Sequence, residues 1–119
     1  MIITISKMFD FDAAHYLTRV APDHKCSRLH GHTYRVELVA TGEPDARGMV
    51  VDYSELAEAW APIHAAIDHR VLNDIEGLEN PTSEVLAQWI LWRITALFPA
   101  VVAVRVYESS TTWCEARHP

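Results

Sequence analysis

From Ile3 the odd positions read Ile3, Ile5, Lys7, Phe9, Phe11 and Ala13, while the even positions read Thr4, Ser6, Met8, Asp10 and Asp12. Strand side chains alternate between two faces, so this period of two predicts a strand with one face on a core and the other toward water. Continuing the parity places His15 on the apolar face. A second strand is predicted from about Gly31 to Thr41, where His32, Tyr34, Val36, Leu38 and Ala40 alternate with Thr33, Arg35, Glu37 and Thr41. His30 and His32 share the parity of its apolar face.

Thr41 to Gly48 reads as a connecting loop, and Met49 to Tyr53 as a short return strand. Asp52-x-x-Glu55 has the spacing of a capping box, and Leu56, Ala59, Trp60, Ile63 and Ile67 follow at helical intervals. Pro62, inside that pattern, is expected to bend the helix or open its ladder. A second helix is predicted from Pro81-Thr82-Ser83-Glu84 to about Phe98, stopped by Pro99. Its apolar residues, among them Trp89, Ile90, Trp92 and Leu97, cover more than one stripe, which predicts that another subunit helps to bury them. Val101 to Tyr107 alternates as a strand, with Val102, Val104 and Val106 on the parity of Glu108. Ser109-Ser110-Thr111 then turns the chain into a last strand through Trp113 and Cys114. The order ββααββ is that of an α+β domain, residues 1–119, with two helices on one face of an antiparallel sheet.

Composition limits the possible functions. The chain has 119 residues, 50% hydrophobic and 22% charged, which is globular and excludes disorder or a collagen repeat. Its longest apolar stretch, Val85 to Phe98, is broken by Gln88, Arg93 and Thr95 and falls short of the roughly 20 residues of a membrane span. No basic, apolar and cleavage regions of a signal peptide are visible after Met1, so a cytoplasmic location is expected. A net charge of −6 argues against broad nucleic-acid binding but leaves room for a small anionic substrate at a locally basic site. Cys26 and Cys114 stand far apart without CxxC spacing, so a free thiol is expected.

The densest chemical signal is His15 followed by His30-Gly31-His32. On a strand the two members of an HxH pair point to one side about 6 to 7 Å apart, and a third histidine on the adjacent strand completes a facial triad. Neutral imidazoles in this pattern favour Zn2+, and three protein ligands leave a fourth position open, as in catalytic zinc sites. The competing reading is a chance HxH in a His-rich chain.

Cys26, between Lys25 and Arg28, could carry a thiolate acting as base or nucleophile; it could also be a small buried hydrophobe, or a fourth zinc ligand that closes the site. Asp68-His69 could form an acid/base relay, or simply end a helix. Glu108 shares its strand face with valines and is costly to bury unpaired; a ligand with two N–H donors would satisfy it, as would a salt bridge to Arg105 or Arg93.

Taken together, Phe11-Asp12-Ala13-Ala14-His15, Cys26-Ser27-Arg28-Leu29-His30-Gly31-His32, Asp68-His69, Leu72-Asn73-Asp74, Glu79-Asn80-Pro81-Thr82-Ser83-Glu84 and Glu108 resemble the 6-pyruvoyl-tetrahydropterin synthase superfamily along essentially the whole chain. The short Cys-x-x-x-His-Gly-His spacing is similar to its 6-carboxy-5,6,7,8-tetrahydropterin synthase branch in queuosine synthesis. The resemblance implies a tunnelling (T-fold) domain, ββααββ with a four-stranded antiparallel sheet, whose subunits form a homo-oligomeric barrel with active sites at the interfaces. It implies His15, His30 and His32 as ligands of a Zn2+ cofactor, Cys26 as proton acceptor, Asp68 and His69 as a second relay, and Glu108 as the anchor of a pterin triphosphate substrate, with no part in holding the metal. Ser27 and Ser109-Ser110 depart from the family pattern beside these positions, which bears on substrate preference. The implied reaction takes 7,8-dihydroneopterin triphosphate to 6-carboxytetrahydropterin, acetaldehyde and triphosphate. Pyruvoyl-tetrahydropterin synthesis and a non-catalytic pterin-binding module are the alternatives.

Overall fold

A computed structural model describes residues Met1–Pro119. Two long strands, β1 (Ile3–His15) and β2 (His30–Gly42), pair antiparallel without interruption from Ile3↔Gly42 to His15↔His30. Helix α1 (Tyr53–Ile67), a two-residue strand β3 (Arg70–Val71), helix α2 (Ser83–Leu97) and strands β4 (Val101–Tyr107) and β5 (Trp113–Arg117) follow. The sheet order is β3-β1-β2-β4-β5.

The alternation in the sequence becomes two different faces. Phe11, Ala13, Tyr34, Val36, Leu38, Val104 and Val106 are buried with Leu56, Ile67, Leu86, Ile90 and Ile94 of the helices in one core. Phe11 and Tyr34 are register partners whose rings stack 4.9 Å apart, an arrangement worth about 0.5–1.5 kcal/mol beyond area burial. The opposite face carries no helix. There Glu37 is buried, and its carboxylate accepts from Ser6 Oγ at 2.7 Å, Tyr107 Oη at 2.9 Å and Arg105 at 3.3 Å. Burial pushes its carboxyl up, but these three donors together outweigh that and hold it below the ordinary range.

Two local expectations change. The predicted return strand at Met49 to Tyr53 is absent: Asp45 turns the segment back by accepting from the Arg47 and Met49 N–H groups. Asp52 is committed as the cap of α1, its carboxylate accepting from Ser54 N–H at 2.9 Å. α1 runs through Pro62, which opens the ladder at one place as expected, since it has no N–H to donate; Pro62 and Glu58 are both exposed. The carbonyl that loses its donor, that of Glu58, therefore lies on the solvent side. The sheet has five strands rather than four, because β3 pairs parallel with β1 at Ala13↔Arg70 and Ala14↔Val71, too short a run to show a period.

On α2, capped by Thr82 Oγ1 accepting from Val85 N–H at 3.1 Å, the residues Leu86, Ala87, Trp89, Ile90, Leu91 and Ile94 are buried. Trp92 and Leu97 remain 61% and 60% exposed. No helix is long and apolar enough to cross a membrane. β3 and the Asp68–His69 segment cover β1 only from Asp12 to Ala14, so the outer edge of β1 from Ile3 to Phe11 and that of β5 are unpaired.

Candidate functional site

The β1–β2 register places His15 opposite His30, and Ala13 opposite His32. Residues directly opposed on antiparallel strands share a face. The three imidazoles therefore stand together, centroids 4.6, 5.0 and 5.0 Å apart, each ring edge-on to the others.

Backbone carbonyls fix two of the tautomers. Pro81 O lies 2.7 Å from His15 Nδ1, and Arg28 O lies 2.7 Å from His30 Nδ1. A carbonyl can only accept, so both Nδ1 atoms carry the proton and both Nε2 atoms are bare in the neutral rings. Those Nε2 atoms face each other at 3.0 Å, and His32 Nε2 is 3.1 Å from His15 Nε2. Two lone pairs at that distance repel unless a cation stands between them. Zn–N bonds of 2.0–2.1 Å at tetrahedral angles separate donors by about 3.3–3.4 Å, so a zinc ion fits the triad with small adjustments. Burial holds His15, only 1% exposed, below its ordinary pKa, with the Pro81 carbonyl acting the other way; burial also lowers His32. Neutral imidazole is the ligating form.

Glu108, one residue past β4, continues the parity of Val104 and Val106 into the same place. Its Oε1 lies 3.0 Å from His32 Nε2 and 3.8 Å from His15 Nε2, while Oε2 accepts from Ser83 Oγ at 2.8 Å. The four potential donor atoms of His15, His30, His32 and Glu108 all lie within 4.8 Å of one another. Neither salt bridge considered for Glu108 forms: Arg105 binds Glu37 and Glu115, and Arg93 stacks over Trp89 at 3.5 Å.

Cys26 is not in that donor cluster. It sits half-buried in a single 3-10 turn, Lys25–Ser27, its N–H donating to His24 Nδ1 at 3.0 Å and its carbonyl accepting from Leu17 N–H at 2.7 Å. The second bond ties the cysteine loop to the chain just beyond His15. The other cysteine, Cys114, faces the core, where burial pushes its thiol up to about 11.

Asp68 and His69 form a separate group at the edge of β1. Asp68 Oδ1 accepts from Asp12 N–H at 3.0 Å, and Oδ2 pairs with His69 Nδ1 at 2.8 Å. His69 N–H donates to Asp12 O at 2.6 Å, and His69 holds the left-handed backbone, φ 57°. The Asp12 N–H, then His69, hold the Asp68 carboxyl below its ordinary range, while the hydrogen bond and charge of Asp68 raise His69. His69 and His32 line one open groove of about 540 Å³.

Several supporting residues have structural roles that the sequence does not show, although four of them lie in the motifs quoted above. Pro81 and Ser83 look there only like a helix start, yet they orient His15 and Glu108. Tyr34 Oη approaches His15 Nδ1 at 3.3 Å from below. Asn73 braces Tyr16 through both its amide atoms, and Asn80 Oδ1 accepts from Thr18 N–H, which fixes the chain leaving β1.

A family model described as 6-pyruvoyl tetrahydropterin synthase matches residues 4–119. The 6-carboxy-5,6,7,8-tetrahydropterin synthase of Synechocystis is 39% identical over 117 residues, covering 91% of this chain and 88% of that protein. The dihydroneopterin monophosphate aldolase of Pyrococcus furiosus is 37% identical over 95 residues, covering 80% and 77%. Among solved structures, the 6-pyruvoyl tetrahydropterin synthase of Caenorhabditis elegans superposes with a TM-score of 0.92 at 24% identity, covering 100% of this chain and 97% of that one, and so shares the fold. With the match running almost from end to end, this chain belongs to the 6-pyruvoyl tetrahydropterin synthase family.

Proposed function

We propose that residues 1–119 act as one catalytic domain that converts 7,8-dihydroneopterin triphosphate to 6-carboxytetrahydropterin, acetaldehyde and triphosphate, a zinc-dependent step of queuosine synthesis in the cytoplasm. The observation that carries this reading is the convergence of His15, His30 and His32 through Nε2, with Cys26 outside the donor set. The 39% identity to the Synechocystis 6-carboxy-5,6,7,8-tetrahydropterin synthase supports this reaction over pyruvoyl synthesis.

His15, His30 and His32 would hold the zinc, with Pro81 O and Arg28 O keeping two of the rings in the ligating tautomer. Bound there, zinc supplies Lewis-acid polarisation of the substrate's side-chain oxygens. Cys26 takes a proton from the side chain on one side and His69 moves one on the other, which isomerises the side chain without an external electron donor as triphosphate leaves. One water then adds to the first side-chain carbon, its oxygen entering the carboxyl as the bond to the second carbon breaks and the two-carbon unit leaves, protonated, as acetaldehyde. Asp68 holds the His69 ring by its Nδ1, leaving Nε2 to exchange protons. Glu108 would accept from the pterin amino and ring N–H groups and fix the ring, leaving the substrate's side chain directed toward the three histidines that would hold the zinc.

The unpaired edges of β1 and β5 support a homo-oligomer, since a sheet with open edges pairs with further strands, and closing a ring of such sheets removes the edges altogether. Active sites at the subunit interfaces would bring the Asp68–His69 group of one copy to the histidine cluster of another. The test is acetaldehyde release from dihydroneopterin triphosphate by zinc-loaded protein. Release that stops on zinc removal and in Cys26→Ala supports the reading; a protein that binds the pterin and releases none is a binding module.

A further inference from the structure

We propose that Glu108 has two alternating partners: it is the fourth donor to the metal in the resting site, and it gives up that position when a pterin ring offers it N–H donors. This rests on the zinc-dependent reading above, and it enlarges the role expected from the sequence, in which Glu108 had no part in holding the metal.

Geometry supplies the first half. Glu108 Oε1 lies at 3.0 Å from His32 Nε2 and 3.8 Å from His15 Nε2, and the histidine pairs at 3.0 and 3.1 Å. These four separations bracket the about 3.3–3.4 Å between donors around tetrahedral zinc. The donor set is therefore three nitrogens and one oxygen pointing at a common centre, not three histidines facing an open position.

Charge supplies the second. Three neutral imidazoles leave a divalent cation with its full charge in a pocket where His15 is buried and His32 and Glu108 are each about a quarter exposed. A carboxylate in contact halves that charge and reduces the desolvation cost. No cationic side chain competes for Glu108, because Arg105 and Arg93 are engaged elsewhere.

Ser83 makes the exchange local. Its hydroxyl holds Oε2 at 2.8 Å, so Oε1 can leave the histidine cluster while the carboxylate stays on its strand. A pterin presenting two parallel N–H donors can then compete for it, because each bond to an ionised carboxylate is charge-assisted. The metal position opens only when the ring is already seated. Water and unrelated diols would meet a closed site.

The experiment measures metal binding directly, without turnover. Metal-free parent, Glu108→Ala and Glu108→Gln proteins are titrated with Zn2+ against a chromophoric chelator, and the Co2+-substituted proteins are followed by visible absorption with and without 7,8-dihydroneopterin. Zinc affinity should fall about tenfold or more in Glu108→Ala. The parent Co2+ spectrum should change on adding the pterin, whereas that of Glu108→Ala, lacking the carboxylate from the start, should already differ from the parent. Glu108→Gln, nearly isosteric, provides the same comparison should the alanine variant unfold. Parent-like zinc affinity and Co2+ spectra in both variants would overturn the proposal and leave the three-histidine site standing. Failure of the parent itself to bind zinc would instead remove the functional reading on which the proposal rests.

Discussion

His15 and His30 meet Nε2 to Nε2 at 3.0 Å while each gives its Nδ1 proton to a backbone carbonyl, Pro81 O in one case and Arg28 O in the other. The two rings cannot relieve their repulsion by changing tautomer, because either change would set a bare Nδ1 against a carbonyl at 2.7 Å. Two backbone carbonyls thus hold both Nε2 lone pairs toward one point, where a cation could sit.

The first prediction separates holding the metal from using it. His32→Ala should leave the purified protein without stoichiometric zinc, whereas Cys26→Ala should keep its zinc and lose turnover by about 10²–10⁴-fold, the range for a positioned proton acceptor. Elemental analysis of the two variants decides it. Zinc retained in His32→Ala, or lost in Cys26→Ala, reverses the roles.

Asp68 and His69 should show their coupling in a titration. Asp68 raises the pKa of His69 above its ordinary 6.5 and is itself held below 3.8. Protonated His69 therefore favours the fold, a contribution fully present below pH 6.5 and lost as pH rises through the raised value. The Asp68 contribution is present above pH 3.8 and lost as pH falls through its lowered value. In Asp68→Asn, the His69 ring resonances followed by NMR should titrate at lower pH than in the parent. An unmoved His69 would mean that the 2.8 Å contact has no electrostatic weight.

How much of this was legible varies with the length of the pattern behind it. The β1 alternation carried His15 to the buried face without error, and the β2 alternation did the same for His30 and His32, because a period of two sustained over a long strand leaves no other register. The parity of Glu108 with Val104 and Val106 also held. What failed was short or long-range. Two residues of β3 show no period, and Met49-Val50-Val51 looks β-branched but is governed by the turn chemistry of Asp45. Ser83, the first residue of α2, meets Glu108, just past β4, a pairing 25 residues apart that no local spacing signals. The Asp68–His69 motif stood out as chemistry, but its attachment to Asp12 depends on a parallel pairing that the sequence hides.

Glu108 should matter to substrate as well as to metal. Losing a charge-assisted interaction in a buried site typically costs about 2 to 4 kcal/mol, so Glu108→Ala should cut kcat/KM about a hundredfold or more in saturating zinc. Steady-state kinetics with zinc in excess isolates this loss from any change in metal affinity. Parent-like kcat/KM would place the ring anchor elsewhere.

Assembly is open to a direct check. Nine residues of unpaired β1 edge, Ile3 to Phe11, should be covered by another copy in solution. Sedimentation at assay concentration should find a homo-oligomer, and a proline at Ser6 or Met8, chosen to block strand pairing, should shift it toward smaller species. A fully active monomer would contradict the interface sites.

The measurement that bears most directly on the central claim is mass-spectrometric identification of the pterin formed from dihydroneopterin triphosphate by zinc-loaded protein. The expected product is a pterin bearing a single carboxyl carbon at position 6, with acetaldehyde and triphosphate in equal amounts. A product that keeps all three side-chain carbons would contradict it and assign the chain to pyruvoyl synthesis.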